Sequence, residues 1–312
     1  MKNLIFKSRA FSFFIVIIIY VAAFFGGFFI FGLSGSLNPL IAFFLADIAA
    51  TVIVWLAGIV LKNSSVYDPY WSVAPLVFIP AWIASAKEQF LLVDLLFIIA
   101  VFVWGLRLTV NWALRWKGLG QQDWRYTMLR EKSPKMWFIT NLVGINVMPT
   151  IFVYLALIPA YCAITRDLSL NAPLQLLKDW QPQDMANLPA AIAGFVICIA
   201  AVAIQAIADR QMDNFKRDAH DKSMYIDSGL WRYSRHPNYF GEVLFWWGIW
   251  IIQMGFIPQL WITLIGPVSM TLLFLFISIP MMENHIAASK PGYITYRKKV
   301  SMLIPWMRSG RK

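Results

Sequence analysis

Charge is scarce in this chain. Only 14% of its 312 residues are Asp, Glu, Lys or Arg, where soluble domains carry about a quarter, so a water-facing surface of ordinary extent cannot be built from it. Cysteine is nearly absent. Cys162 and Cys198 both sit in long apolar runs with no metal or redox spacing, which excludes a disulfide framework and reads both as packing residues. The three histidines, His220, His236 and His285, include no i, i+4 pair, and no Cys or His arrangement suggests zinc, so no metal site is expected. There is no GxGxxG, no phosphate-binding loop and no nucleophile elbow, so a Rossmann domain, a P-loop and an α/β-hydrolase are excluded. No repeat of fixed period and no low-complexity linker divides the chain.

Apolar residues fill the place of charge, at 59% of the chain with mean hydropathy +0.62. Eight stretches are long enough, or nearly so, to cross a membrane: roughly 10–33, 38–61, 71–86, 89–113, 136–162, 187–208, 239–256 and 258–281. The third is short and interrupted by Pro75 and Pro80, so a count of seven results if it is left out. The last two are separated only by Gly255–Pro258, which reads as a tight helical hairpin. The expected fold is therefore an all-α, polytopic integral membrane bundle of about eight helices. A nearly featureless helix pair, 1–62, precedes the polar-rich remainder, 63–312.

With the N-terminus inside, only Lys87, Arg166 and Lys178 of the 27 basic residues fall outside, and Arg107 lies within a span. This asymmetry predicts an even number of spans with both termini cytoplasmic, as in a bacterial inner membrane protein. The first run, behind Lys2, Lys7 and Arg9, is far longer than a cleavable signal core and reads as a retained anchor. The net charge of +11 tracks the cytoplasmic face. It points to anionic lipid head groups and an anionic cofactor rather than to nucleic acid.

Ionisable groups at membrane depth are costly and usually functional. In Ser228-Gly-Leu-Trp-Arg-Tyr-Ser-Arg-His-Pro-Asn-Tyr-Phe-Gly-Glu242, Pro237 suits the first position of a helix. Asn238 and Glu242 then share a face. Arg232, Tyr233, Arg235, His236 and Tyr239 flank them, as expected for a polar, anionic ligand; the bland reading makes the cations interfacial anchors. Gln205 and Asp209 share a face at the inner end of the sixth run, with Lys216 two turns on. Asp209 is either part of a ligand cluster or a surface partner of Arg210 or Lys216. Arg107 and Asn111 share a face of the fourth run, and a buried Arg needs an acid, for which Asp209 and Glu242 are candidates. Trp124 and Tyr126 suit an aromatic belt. Asp68, before Pro69, either caps the third helix or donates a proton beside Tyr70. Asp47 is either a packing contact or functional. Glu283, His285, Tyr293, Tyr296 and Arg297 follow the last run.

The Ser228–Glu242 string resembles the C-terminal signature of the steroid 5-alpha-reductase family. With Asp68-Pro-Tyr-Trp-Ser72, Asp123-Trp-Arg-Tyr126 and Leu303-Ile-Pro305, residues 60–306 are similar to its largely bacterial branch. Arg-His-Pro followed by Tyr and Gly is also similar to isoprenylcysteine carboxyl methyltransferases. The resemblance implies a helical membrane enzyme that binds NADPH in a cytoplasm-facing cavity and passes hydride to the β-carbon of an enone. It implies that Asn238 and Glu242 hold the nicotinamide end, and that Asp209 binds cofactor with Gln205 standing where those enzymes carry Asn. Lys216 replaces an Arg, His285 falls at a cofactor-site His, and Arg107 matches an Arg near the active site. The steroid enzymes hold the substrate carbonyl with a Tyr and a Glu; here Trp104 stands three before Arg107, and Asp68 substitutes for the Glu.

The expected function is NADPH-dependent reduction of a C=C bond in a lipophilic, sterol- or isoprenoid-like substrate. Asp68, Tyr70, Trp104 and Arg107 lie near the chemistry. Asn111, Gln205, Asp209, Lys216, Arg232, Tyr233, Arg235, His236, Asn238, Tyr239, Glu242, His285 and Arg297 lie near the cofactor. The rivals are an AdoMet-dependent lipid methyltransferase and a non-enzymatic lipid-binding protein.

Overall fold

The computed structural model describes residues 8–86, 90–166, 187–218, 221 and 223–307. The expected outer segment around 166–187, with Asp167, Pro173, Lys178, Asp179, Pro182 and Asp184, lies almost wholly outside the described residues, as do Lys2, Lys7, Lys87, His220 and Lys222. Among the described residues the structure is helical, with no strand and one isolated parallel bridge, Ser234 with Ser301.

The helices are α1 (Arg9–Leu33), α2 (Pro39–Leu61), α3 (Tyr70–Ala86, entered through a 3-10 turn, Ser64–Tyr67), α4 (Leu92–Arg115) and the short α5 (Trp124–Lys132). There follow α6 (Pro134–Thr165), α7 (Leu188–Asp218), α8 (Pro237–Phe256), α9 (Pro258–Ser289) and α10 (Tyr293–Lys299). Among the described residues seven helices are long and apolar enough to span a membrane. These are α1, α2, the run Ser64–Ala86, α4, α6, α7 and α9, as a polytopic membrane protein requires. The Pro-interrupted third run is one of them. The eighth expected span, α8, is absent from the seven: Asn238, Glu242 and Gln253 dilute its hydropathy, although its 20 residues reach about 30 Å.

Helix ends follow local chemistry. Ser8 and Asn38 cap α1 and α2, each accepting a first-turn N–H, and Asn38 is followed by Pro39 at the first position. Asp123 caps α5 by accepting from the Arg125 N–H at 2.8 Å. The long helix α6 holds a π segment, Thr140–Val147, and α9 another, Phe274–Ser278. Such segments are rare and frequent at functional sites. The expected hairpin between α8 and α9 turns through Ile257 into a 3-10 segment, Pro258–Leu264, broken at Leu260.

The chain divides into two compact units, Met1–Ala81 with Trp104–Leu155, and Trp82–Val103 with Ala156–Lys312. These do not follow the boundary at residue 62. In the first unit α1 packs on α2, with Gly27 against Ala46 and Ala50. Arg9 donates to the carbonyl of Leu114 at 3.1 Å, which ties the start of α1 to the end of α4.

In the second unit α7 and α8 pack backbone to backbone. Gly241, Gly248 and Gly255 recur every seven residues. A Cβ at Gly248 would lie 2.5 Å from Cys198 Sγ, and one at Gly255 would lie 2.5 Å from the Ala191 N. Small residues let membrane helices approach this closely, where lipid supplies no hydrophobic drive between them. Both cysteines are buried, as expected of packing residues.

Candidate functional site

In the second unit the α7–α8 seam ends in a polar cluster. At Gly241 the seam is tight enough that a Cβ would meet Gln205 Cγ at 2.6 Å, which fixes the register between the two polar faces. Gln205 Nε2 donates to Glu242 Oε2 at 3.1 Å, and Trp246 Nε1 donates to Oε1 at 3.0 Å. Glu242 is 4% exposed. One turn nearer the helix end, Asn238 Nδ2 donates to Asp209 Oδ1 at 3.5 Å, with both residues half-buried. The four residues expected to share two faces therefore do meet across one seam. Lys216 is exposed on the last turns of α7. At 31 residues α7 is about 46 Å long, beyond the ~30 Å hydrocarbon core, so its polar end extends past that layer.

The approach to α8 is held by its own bonds. Gly229 has φ +60, and a Cβ there would meet the Gln211 amide at 2.5 Å. The positive φ is what favours glycine; the Gln211 amide is the end of a flexible side chain that can shift. Gln211 Oε1 accepts from the Leu230 N–H at 2.9 Å, and Trp231 Nε1 donates to the Ala208 carbonyl at 3.1 Å. Ser301–Trp306 runs alongside: Ser234 Oγ donates to the Leu303 carbonyl at 2.7 Å, Arg235 N to the Ser301 carbonyl at 2.9 Å, and Trp306 N to the Tyr233 carbonyl at 2.9 Å. Two distant strings of the resemblance, Ser228–Glu242 and Leu303–Pro305, are thus neighbours in space.

Arg235 and His236, expected to flank a ligand, are buried and turned inward to Glu283. Arg235 Nε lies 2.7 Å from Glu283 Oε1, though off its N–H axis, and His236 Nε2 lies 3.1 Å from the same oxygen. Arg297 Nε meets Oε2 at 2.9 Å. Arg235 also donates to the carbonyls of Arg297 and Val300. Burial holds the His236 imidazole below its ordinary value of 6.5, against the opposing pull of Glu283. Tyr239 stacks on the His236 ring, centroids 5.3 Å apart. Arg232, Tyr233, His285 and Arg297 are exposed. Glu283 was not singled out as a site residue, although a lone carboxylate in an apolar run was signal enough.

In the first unit Asp68 does not cap α3. Its backbone is helical, at φ −50 and ψ −43, and the Pro69 carbonyl instead accepts the first bonds of the helix. The Asp68 carboxylate accepts from the Tyr126 hydroxyl. Tyr126, set aside as belt aromatic, is buried, and burial together with the Asp68 charge raises its phenol well above the usual range. It therefore remains a donor. Asp123 holds Arg125 beside it at 2.9 Å. Tyr70 is buried and donates to Asp47 Oδ1 at 2.7 Å, which gives that lone acid a partner. Tyr67 bonds Thr150 at 2.7 Å, and Thr150 bonds Thr51 at 2.8 Å. Trp104 is fully buried against Trp71; Arg107 and Asn111 are half-buried on α4.

Residues 54–300 match a family described as proteins of unknown function, DUF1295, and the chain belongs to it. It is also similar to an uncharacterized protein of Schizosaccharomyces pombe, 22% identical over 296 residues, which cover 86% of this chain and 80% of that protein. No solved structure matches the chain.

Proposed function

We propose that the protein is an NADPH-dependent membrane reductase of the steroid 5-alpha-reductase type, reducing the C=C bond of an enone in a lipophilic, sterol- or isoprenoid-like substrate. The observation that carries this reading is the α7–α8 cluster: a buried carboxylate held by an amide and an indole, one turn from an amide–carboxylate pair. It lies in the segment that resembles the cofactor segment of that family. In kind, the donor set fits the cofactor. Asn238 and Glu242 offer a donor and an acceptor to a carboxamide, and the 3.5 Å Asn238–Asp209 contact is long enough for a ligand group to compete for it. Lys216 and Arg232 are exposed cations suited to phosphates. Arg235 and His236 serve instead as the internal brace that sets the start of α8.

When bound, the cofactor supplies hydride. The chain orients it through Asn238, Asp209 and Glu242, and α7 and α8 shield the Glu242 end from water. The same reading puts both termini on the cytoplasmic side, with a bacterial inner membrane as the expected host.

Calorimetric titration of the detergent-purified chain with NADPH, NADH and AdoMet tests the proposal. NADPH should bind selectively, and Arg232→Ala and Asp209→Asn should each weaken it about tenfold or more while the thermal midpoint stays put. Glu242→Gln, which preserves shape, should weaken binding less than Glu242→Ala. Binding of AdoMet alone, or of no nucleotide, overturns the reductase.

A further inference from the structure

A cavity of about 280 Å³ opens in the first unit where α2 ends, α5 passes and the π segment of α6 begins. Its lining includes Lys62, Ser64, Gln122, Arg130, Trp137 and Asn141, with no carboxylate among its described residues. The volume is below the ~300–1,000 Å³ of pockets that enclose a whole drug-sized ligand, and suits a compact head group.

Each polar group is set there by the backbone. Lys62 ends α2 with φ +54, at a helix-terminal position that most often takes glycine. A lysine there accepts the strain of a left-handed backbone. Arg130, on α5, lies with its Cζ 6.0 Å from the ring centroid of Trp137, in the first turns of α6. Asn141 is 2% exposed. Its Oδ1 accepts from Asn146 Nδ2 at 3.1 Å, five residues on, as the wider π turn allows. Among the described residues no acceptor is given to Asn141 Nδ2, and the residue lines the cavity. Gln122 is held at both ends of its amide: Oε1 accepts from the Ser64 N–H at 3.1 Å, and Nε2 donates to Thr127 Oγ1 at 3.5 Å. Two cations and the Asn141 amide donor line one small space, with no acid among its described residues, a set suited to an oxyanion. Beside the cavity Phe138, Ile139 and Val143 are all more than half exposed, as lipid-facing residues of a spanning helix are.

We infer that this cavity is a binding site for a phosphate group, carried by an anionic membrane phospholipid or by a soluble phosphate compound, and held by Lys62, Arg130 and Asn141. It belongs to a different set of residues from the α7–α8 cluster, and stands whether or not that cluster binds a nucleotide.

The full chain in phosphatidylcholine nanodiscs, titrated with phosphatidylglycerol in one arm and with glycerol phosphate in the other, tests it by thermal shift and by ligand retention in native mass spectrometry. One arm or both should raise the midpoint, and the responding arm identifies the source. Arg130→Ala and Lys62→Gly should each weaken the response about tenfold. Lys62→Gly is the telling variant, since glycine relieves the backbone and should leave the unliganded protein as stable or more so. Lys132→Ala, also exposed on α5 but outside the cavity, should leave the response intact. No response in either arm, or equal loss from Lys132→Ala, overturns the site and leaves only general attraction of cations to an anionic surface.

Discussion

Glu283 shows how much one side chain can organise. Two guanidinium groups and an imidazole converge on its carboxylate, which is 1% exposed. Removing one partner of a buried ion pair leaves the other charge uncompensated and typically costs about 3–5 kcal/mol. Glu283→Gln should therefore lower the thermal midpoint sharply, measured by melts in detergent. Exposed Arg232→Ala should leave it almost unchanged. His236 adds a pH dependence. Its folded imidazole, facing Glu283 and Arg235 and stacked on Tyr239, binds a proton less readily than the unfolded value of 6.5. Protonation thus favours the unfolded chain, and the stabilisation is complete above about pH 6.5 and lost as pH falls through the depressed folded value. Melts between pH 8 and pH 5 should show a decline that His236→Gln flattens. The roles of Arg235 and His236 were not legible in the residue string, because their partner lies 48 and 47 positions away. Asn238 and Glu242 were legible, because a helical period places both on one face.

Helices α7 and α8 are held by what their glycines omit. At Gly248 a Cβ would lie 2.5 Å from Cys198 Sγ and 2.9 Å from the Gly194 carbonyl, so Gly248→Ala must push the helices apart, at about 1–3 kcal/mol. Gly32 has nothing within 4 Å of a built Cβ. Gly32→Ala should be neutral or stabilising by up to about 1 kcal/mol, the ordinary helix preference for alanine. Thermal melts of the pair distinguish a packing seam from a general sensitivity to substitution. Every apolar stretch read from the sequence is a helix in the structure, because length and hydropathy suffice for that. The seven-residue recurrence of Gly241, Gly248 and Gly255 was present in the same string. Its meaning depended on α7 offering Ala191, Gly194, Cys198 and Ala201 opposite it, which no single segment declares. The π segment of α6 had no sequence signal that we can identify.

For the whole molecule, burial of both cysteines has a practical consequence. Native protein should be silent to maleimide and should label at Cys162 and Cys198 only after denaturation. A cysteine placed at Lys132 can then report sidedness against a clean background, and labelling from the cytoplasmic side is the expected outcome. Membership of the membrane-protein class was determined by composition alone: a chain with 14% charged residues and seven long apolar helices buries its backbone polar groups in helices whatever its details. The tertiary structure decided which charges are spent on the protein itself. It turned Arg235 and His236 onto Glu283, gave Asp68 to Tyr126 and Asp47 to Tyr70, and gathered Lys62, Arg130 and Asn141 around one cavity. Periodicity fixes a face only within one helix. Pairing across helices depends on how closely backbones approach, and that is set by packing.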